Sequence, residues 1–264
     1  MSETPRLLIV NADDLGRTPG INEGIFAAHR EGIVSSATLM VAYPAAREAA
    51  AALGDHPGLG VGLHVQLTGG RPTLPPERVP SLVDGEGRLP RSPERVSGFE
   101  PAHVLAEIEH QLDLFHRLTG RAPTHLDSHH HSHRLPVVLD GLIEVARRHG
   151  LPVRNASPEV ARRLAAEEVA TTDVFVERFF GDDTGLDTLL AVLDDLAPGS
   201  TELMCHPARV DDELAADSTY TAPRERELAT LTDPAARDAL AAHGVRLVHF
   251  GALAAVPAAP GAAR

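Results

Sequence analysis

Five histidines and an aspartate fall within ten residues in the stretch THLDSHHHSH, from Thr124 to His133. Imidazole and carboxylate groups bind divalent cations and exchange protons near neutral pH, so this cluster could hold a metal. A purification tag is excluded because the run is internal and Ser132 interrupts it. A solvated loop is the alternative, particularly for His130 and His133. Other polar residues along the chain must decide between these interpretations.

Carboxylate and imidazole residues also stand at or near the ends of predicted strands in four separate segments. These residues are Asp13 and Asp14 in NADD, His64 in GVGLHVQL, Asp127 with His129 after THL, and His206 after ELMC. In parallel α/β folds the carboxyl ends of the strands form the rim where active sites lie. We therefore expect these side chains to converge, and convergence is stronger evidence than the histidine run alone.

The aspartate pair and His64 need individual interpretations. Side chains of neighbours in extended backbone diverge, so Asp13 and Asp14 are expected to divide the work as one metal ligand and one general base. The alternative is an acidic pair that serves only the dipole of the following helix. In GVGLHVQL the alternation puts His64 and Gln66 on the face opposite Leu63, so His64 should look into a barrel. An isolated histidine there would more often be a core residue.

The elements that must position these residues alternate between short apolar runs and segments of helical period. Strands are predicted at RLLIVN, SATLMV, GVGLHVQL, THLD, LPVR, DVFV, TELMCH and VRLVHF. Helices are predicted between them, including one from Pro19 to about Arg30 with Thr18 as N-cap, one from Pro136 to about His149, and two after His206. Seven or eight strands in this pattern favour a closed parallel (β/α) barrel. A doubly wound open sheet is the rival, but no Gly-rich dinucleotide or phosphate-loop motif supports it.

One domain is expected over residues 1–255, interrupted by a long segment without regular structure at 68–99. Pro and Gly punctuate that segment repeatedly, and loops of such length are usually functional or disordered. We interpret it as an insertion that covers the substrate. Residues 256–264 are small and proline-rich and are expected to form a disordered tail.

Composition narrows the function further. The formal net charge is −13 without a basic run, which disfavours a nucleic-acid partner. The single cysteine, Cys205, excludes an internal disulfide and a cysteine-rich zinc cluster, and its apolar surroundings favour a buried structural thiol. No signal-peptide core or membrane-spanning run is found, so we expect a cytoplasmic protein without a membrane partner, and a homodimer is plausible.

The motifs LLIVNADDLG, GLH, THLDSHHHSH and MCHPA, in this order and spacing, resemble the YdjC-like carbohydrate deacetylases, the chito-oligosaccharide deacetylase family. The likeness extends from Leu7 to about Phe250. It implies a single-domain α/β fold with a distorted, TIM-like (β/α) barrel. It also implies hydrolysis of a linear amide, the N-acetyl group of an acetylated amino sugar, by metal-activated water. Leu15 stands where the family more usually has phenylalanine.

The resemblance also implies roles for particular residues. The ligands of one divalent metal would be Asp14, His64 and His129, the catalytic base Asp13, and the general acid His206. Asp127, His131 and Gln66 are candidates for orienting the ligands or contacting substrate. The family is commonly described as magnesium-dependent, whereas nitrogen-rich ligation suits zinc, cobalt or iron. The metal is therefore expected to be magnesium or zinc.

Two other functions fit the same residues. Two histidines and a carboxylate form the metal site of non-heme iron oxygenases and of other metalloenzyme classes, although the second aspartate has no obvious work there. The second alternative function is that of a non-catalytic protein that binds metal or sugar on an enzyme scaffold. The substrate expected is a small carbohydrate, a chito-oligosaccharide or a related glycoconjugate.

Overall fold

A computed structural model describes residues 4–253 of the protein. Within that range seven parallel strands form one sheet. They are β1 (Arg6–Leu15), β2 (Ser36–Leu39), β3 (Gly60–Val65), β4 (Leu126–Ser128), β5 (Val174–Val176), β6 (Gly199–Cys205) and β7 (Val245–Leu247). The strand order is β4-β3-β2-β1-β6-β5, and β7 pairs with β1. The tail predicted at 256–264 lies outside the described residues.

Nine α-helices among the described residues connect and cover these strands. They are α1 (Pro19–Glu31), α2 (Ala46–Ala52), α3 (Pro101–Thr119), α4 (Pro136–His149), α5 (Pro158–Ala166), α6 (Leu186–Asp194), α7 (Asp212–Asp217), α8 (Ala222–Leu231) and α9 (Pro234–Ala242). The predicted α/β fold is confirmed. Three helices, rather than the two predicted, separate His206 from β7.

Strand β1 is the centre of the sheet. Its residues Arg6 to Ala12 pair with β6 along one edge. Along the other edge, Arg6 to Leu8 pair with β7 and Asn11 to Leu15 pair with β2. With neighbours on both edges, β1 is almost entirely buried, which is why it reads as a continuous apolar run before the aspartates.

Among the described residues no strand closes the wall between β4 and β5, so the sheet forms a distorted half-barrel and the closed barrel favoured by the strand count is wrong. LPVR was predicted as a strand but contributes only an isolated bridge between Val153 and Leu126. The amide of Arg154 donates to the carbonyl of Leu126 at 3.0 Å, and that of Val153 donates to Ala170 at 2.9 Å. Irregular backbone therefore fills this part of the wall, and it brings Arg154 alongside the end of β4.

Residues 66–100 contain only three short 3-10 turns, at Pro76–Arg78, Pro80–Leu82 and Pro93–Arg95. The segment is nevertheless anchored. Buried Glu107 of α3 accepts hydrogen bonds from the Thr73 amide at 2.7 Å and the Leu74 amide at 3.0 Å, and Leu82 is buried in the core. Gly69, Gly70 and Arg71 line a second cavity, of about 630 Å³, that shares His129 with the cavity described below.

Several helix boundaries follow their sequence signals. The hydroxyl of Thr18 accepts a hydrogen bond from the Ile21 amide at 3.3 Å and caps α1, with Pro19 at the first helical position. Helix α4 spans Pro136 to His149, as predicted. None of the helices between residues 4 and 253 combines the length and apolar character needed to cross a bilayer.

Candidate active site

A cavity of about 610 Å³ opens at the carboxyl ends of the strands. The site residues predicted from the sequence that line it are Asp13, Asp14, His64, His129, His131 and His206. They come from β1, β3, the segment after β4 and the segment after β6. The convergence expected at this rim is therefore present in the fold.

The aspartate pair sits on a distorted part of β1. The register between β1 and β2 shifts between Ala12 and Leu15, which marks a bulge, and Asp14 has a left-handed backbone with φ of 71°. Aspartate tolerates this conformation better than most residues, and bulges redirect side chains near active sites. The sequence analysis assumed that the pair lies in extended backbone and that its side chains diverge. That assumption is wrong at Asp14, and both carboxylates line the same cavity. They still have different partners.

Asp14, His64 and His129 form a group that could hold a metal ion. One donor atom from each lies within 4.8 Å of the other two, and all three residues are buried. Asp14 Oδ1 is 3.6 Å from His64 Nε2 and 3.1 Å from His129 Nδ1. This oxygen is buried and has no hydrogen-bond partner among the described residues. A buried carboxylate oxygen faced by two imidazole nitrogens suits a cation.

Neighbouring side chains orient these donor atoms. Asp127 Oδ1 lies 2.7 Å from His64 Nδ1, which leaves Nε2 of the ring directed at Asp14. Arg224 of α8 donates to Asp14 Oδ2 at 2.5 Å and leaves Oδ1 free. The contact is the one that an orienting role for Asp127 requires, and the role itself stays a prediction.

A buried guanidinium holds Asp13. Arg154 donates to Asp13 through two nitrogens, each at 2.7 Å, and also contacts Asp127 at 3.0 Å and Glu202 at 2.8 Å. Burial alone would raise the pKa of Asp13, but Arg154 outweighs it and holds that pKa well below its usual range. Asp13, His64 and Asp127 also lie close enough to bind a cation, yet Arg154 already supplies positive charge to both carboxylates.

Replacing Arg154 by methionine should cost about 3–5 kcal/mol of the free energy of unfolding, because three buried carboxyl groups lose their counter-charge. Urea unfolding followed by circular dichroism would measure the loss. The matched control is Arg147→Met, which removes an exposed ion pair with Glu167 and should cost less than about 1 kcal/mol. Equal losses for the two variants would contradict a structural role for the buried network.

His206 faces Asp13 across the cavity, with Nε2 3.9 Å from Asp13 Oδ2. Burial lowers the pKa of its ring to about 4, although Asp13 opposes this shift. The backbone amide of His206 donates to buried Glu227 of α8, which fixes the segment that follows β6. Cys205, just before it, is fully buried, as the sequence suggested.

The remaining predicted site residues are placed less centrally. His131 lines the cavity wall with its ring edge-on to Phe175 and is absent from the metal-ligand group. The Gln66 amide donates to the Gly69 carbonyl at 2.6 Å and does not line this cavity, so it organises the start of the long loop instead. His133, considered for a solvated loop, is fully buried and its Nδ1 lies 2.5 Å from the Ser128 hydroxyl.

The two histidines of the metal group differ in protonation. Burial lowers the pKa of His64, but the carboxylates of Asp127 and Asp13 outweigh it and raise that pKa to about 9. Burial dominates for His129 and lowers its pKa below the ordinary value. Near pH 7 in the metal-free protein, His64 is therefore an imidazolium and His129 a neutral imidazole.

Metal binding near pH 7 should consequently release about one proton per chain, because a cation must displace the proton on His64. Apparent affinity should rise with pH up to about 9, where His64 loses its proton without a metal. Calorimetric titration of the metal-free protein in buffers of different ionisation enthalpy measures the number of protons. Asp127→Asn should reduce the release, since it removes the carboxylate that raises this pKa most. No release by the unaltered protein at pH 7 would contradict the protonated His64.

Sequence reasoning missed several residues of the site. Arg154 was visible only as a charge in the apolar run LPVR, an arrangement that signals a buried partner. Arg224 of α8 and the cavity-lining aromatics Phe180 and Tyr220 come from segments whose patterns carry no comparable signal. Their function depends on distant partners that the linear sequence does not show.

Comparisons with known proteins agree with this architecture. The family model described as YdjC-like protein matches residues 7–242. The chain is 43% identical to a carbohydrate deacetylase of Geobacillus stearothermophilus, over 93% of this chain and 97% of the relative. It is 38% identical to a chitooligosaccharide deacetylase of Yersinia pestis, over 93% and 98%. A solved structure from Enterococcus faecalis V583, assigned provisionally to cellobiose-phosphate cleavage, superposes with a TM-score of 0.89 at 34% identity and covers 94% of this chain and 99% of its own.

Proposed function

This chain belongs to the YdjC-like family, and on that premise we propose that it is a metal-dependent carbohydrate N-deacetylase. The reaction is hydrolysis of the N-acetyl group of an acetylated amino sugar, a chito-oligosaccharide or a related glycoconjugate. The observation that carries this proposal is the grouping of Asp14, His64 and His129 beside Asp13 and His206 in one cavity. These side chains include donors for a cation and two groups able to transfer protons.

The donor set favours zinc or a similar transition metal over magnesium. Two of the three donors are imidazole nitrogens, and magnesium prefers a shell of oxygens. Asp14, His64 and His129 would hold the ion. When bound, such an ion polarises a carbonyl and makes water a stronger acid, the chemistry that hydrolysis of an unactivated amide needs.

Asp13 is the general base in this proposal. Its carboxylate stays ionised over the working pH range because Arg154 outweighs burial and lowers its pKa, so it is unprotonated when water enters, although the same shift makes it a weaker base. The paired hydrogen bonds from Arg154 fix the plane of the carboxylate. Arg154 is therefore a positioning residue that acts through Asp13.

His206 delivers a proton to the departing amine. Its pKa of about 4 means that the ring starts neutral at pH 7, so it must gain a proton within the site during turnover. The Asp13 carboxylate that collects the water's proton lies 3.9 Å from His206 Nε2. Base and acid are thus close enough for one proton to serve both steps after a small movement.

Acetate release from N-acetylglucosamine and N,N′-diacetylchitobiose, measured with and without a chelator, tests the proposal. We expect release by the metal-loaded protein, its loss with chelator, and its return when zinc is added. Metal analysis of the same preparation identifies the ion. Metal bound without acetate release from either sugar would favour a non-catalytic binding protein instead.

Three further features are part of the proposal. The partner in this proposal is a small carbohydrate, and neither nucleic acid nor membrane takes part. The proposed location is the cytoplasm. The proposed oligomeric state is a homodimer. The net charge of −13 supports the exclusion of nucleic acid. Light scattering of the purified protein tests the dimer.

A further inference from the structure

An exposed phenylalanine stands on the wall of the catalytic cavity. Only two large apolar side chains among the described residues are exposed, Phe180 at 46% and Val174 at 42%. Phe180 lines the cavity that holds Asp13 and His206, whereas Val174 lies outside it. Its neighbour Phe179 is fully buried and fills the core, so the chain directs one ring inward and the next into the cavity.

The exposed ring is held in place by Tyr220. The two rings stack in parallel, with centroids 4.3 Å apart and an angle of 5° between their planes. The Phe180 ring also stands edge-on to the ring of His206, at 5.4 Å. An aromatic side chain fixed by a second ring keeps its exposed face available without losing further rotational freedom.

Hydrogen bonds anchor the pair to the catalytic segment. The Tyr220 hydroxyl accepts from the amide of Gly181, the residue after Phe180, at 2.9 Å and donates to Glu227 Oε1 at 2.6 Å. The other oxygen of Glu227 accepts from the backbone amide of His206. One buried carboxyl group therefore ties the aromatic pair and the proposed general acid into a single unit.

From this geometry we infer that Phe180, supported by Tyr220, is a stacking platform for a pyranose ring of the substrate. This inference rests on the proposed function. The axial C–H groups of a sugar ring form an apolar face, and an aromatic face beside a polar rim fits that combination. The rim is present: Glu177, Arg178, Ser218 and Thr219 line the same cavity and can bond to hydroxyl groups.

The platform determines substrate binding rather than proton transfer. Phe180 has no group that exchanges protons, and it contacts the site through the ring of His206. Stacking acts on the ground state and the transition state alike, so its loss should appear in KM while kcat is preserved. This separation distinguishes a platform from a residue that only supports His206, whose loss would lower kcat.

Kinetics of acetate release from N,N′-diacetylchitobiose provide the first test. Phe180→Ala should raise KM by roughly 2- to 12-fold, the range expected for losing one aromatic stacking contact. Its kcat should stay within about twofold, because a uniform binding contact does not change the chemical step. Phe180→Tyr should restore KM. The matched control is Val174→Ala, which removes the other exposed apolar side chain and should leave both constants unchanged.

Fluorescence supplies a test that does not depend on turnover. The chain contains no tryptophan, so Phe180→Trp introduces a single reporter at the platform. Its emission should change on saturable titration with N,N′-diacetylchitobiose in the metal-free protein. Val174→Trp is the matched control and should not respond.

The outcomes separate the two proposals. If the unaltered protein releases no acetate from any N-acetylated sugar, the proposed function fails, yet a tryptophan response at position 180 would still support a sugar platform. If the unaltered protein is active and Phe180→Ala leaves KM unchanged, the platform is refuted while the function stands. A fall in kcat at constant KM would also refute it, since that result assigns Phe180 to the support of His206.

Discussion

Asp13→Asn is expected to lower kcat for acetate release by about 100- to 10,000-fold, the usual effect of removing a general base. Asparagine keeps the shape of aspartate but cannot take the proton of the attacking water. The metal content should stay at that of the unaltered protein, because Asp13 lies outside the Asp14–His64–His129 group. Acetate assays and metal analysis on the same preparation measure both quantities.

The control for this variant is Asp140→Asn on α4. Asp140 pairs with Arg163 at the surface, 2.6 Å away, and its loss should leave kcat unchanged. Normal turnover by Asp13→Asn would remove Asp13 from the base role. Loss of the metal together with activity would instead place Asp13 among the ligands, with Arg154 displaced from it.

Local signals explain what the sequence predicted well about the fold. The cap at Thr18 and the proline at position 19 act within one helical turn, and the start of α1 follows them. Strand pairing is different because it depends on partners far along the chain. LPVR has the composition of a strand, but only Val153 bridges to β4, and its backbone also bonds to Ala170. No local pattern encodes that arrangement.

The candidate site was predictable to the extent that it follows the topology. Residues at the carboxyl ends of parallel strands share a rim, and this rule predicted that Asp14, His64 and His129 lie close together, as they do. The same rule says nothing about backbone detail. The left-handed conformation of Asp14 arises at a bulge against β2, where both aspartates line one cavity.

The arginines that pair with these aspartates were not predictable because they lie outside the strands. Arg154 lies in irregular wall, and Arg224 is on a helix near the end of the chain. Both supply positive charge to buried carboxylates that would otherwise carry a large desolvation cost. A sequence that places two adjacent aspartates at a buried rim implies such cations, but it does not say which arginines they are.

The two carboxylate oxygens of Asp14 have different surroundings. Its Oδ2 accepts from Arg224, whereas its buried Oδ1 has no hydrogen-bond partner among the described residues. His129 Nδ1 lies 3.1 Å from Oδ1, and His129 belongs to the histidine run that first drew attention to the site. The ring of its neighbour His130 lies tilted against it, with centroids 3.8 Å apart and 31° between the planes, but His130 lies outside the ligand group.

His129→Ala is therefore expected to reduce metal affinity by more than about 100-fold, beyond the effect of losing an orienting partner, and to abolish acetate release with it. Two donors, Asp14 and His64, would remain, too few for a stable site of this kind. Equilibrium dialysis against zinc measures the affinity. His130→Ala is the matched control within the same run and should retain the metal stoichiometry of the unaltered protein, since its ring supplies no donor to the group. Full metal binding by His129→Ala, or its loss only in His130→Ala, would move the ligand to another histidine and overturn the assignment.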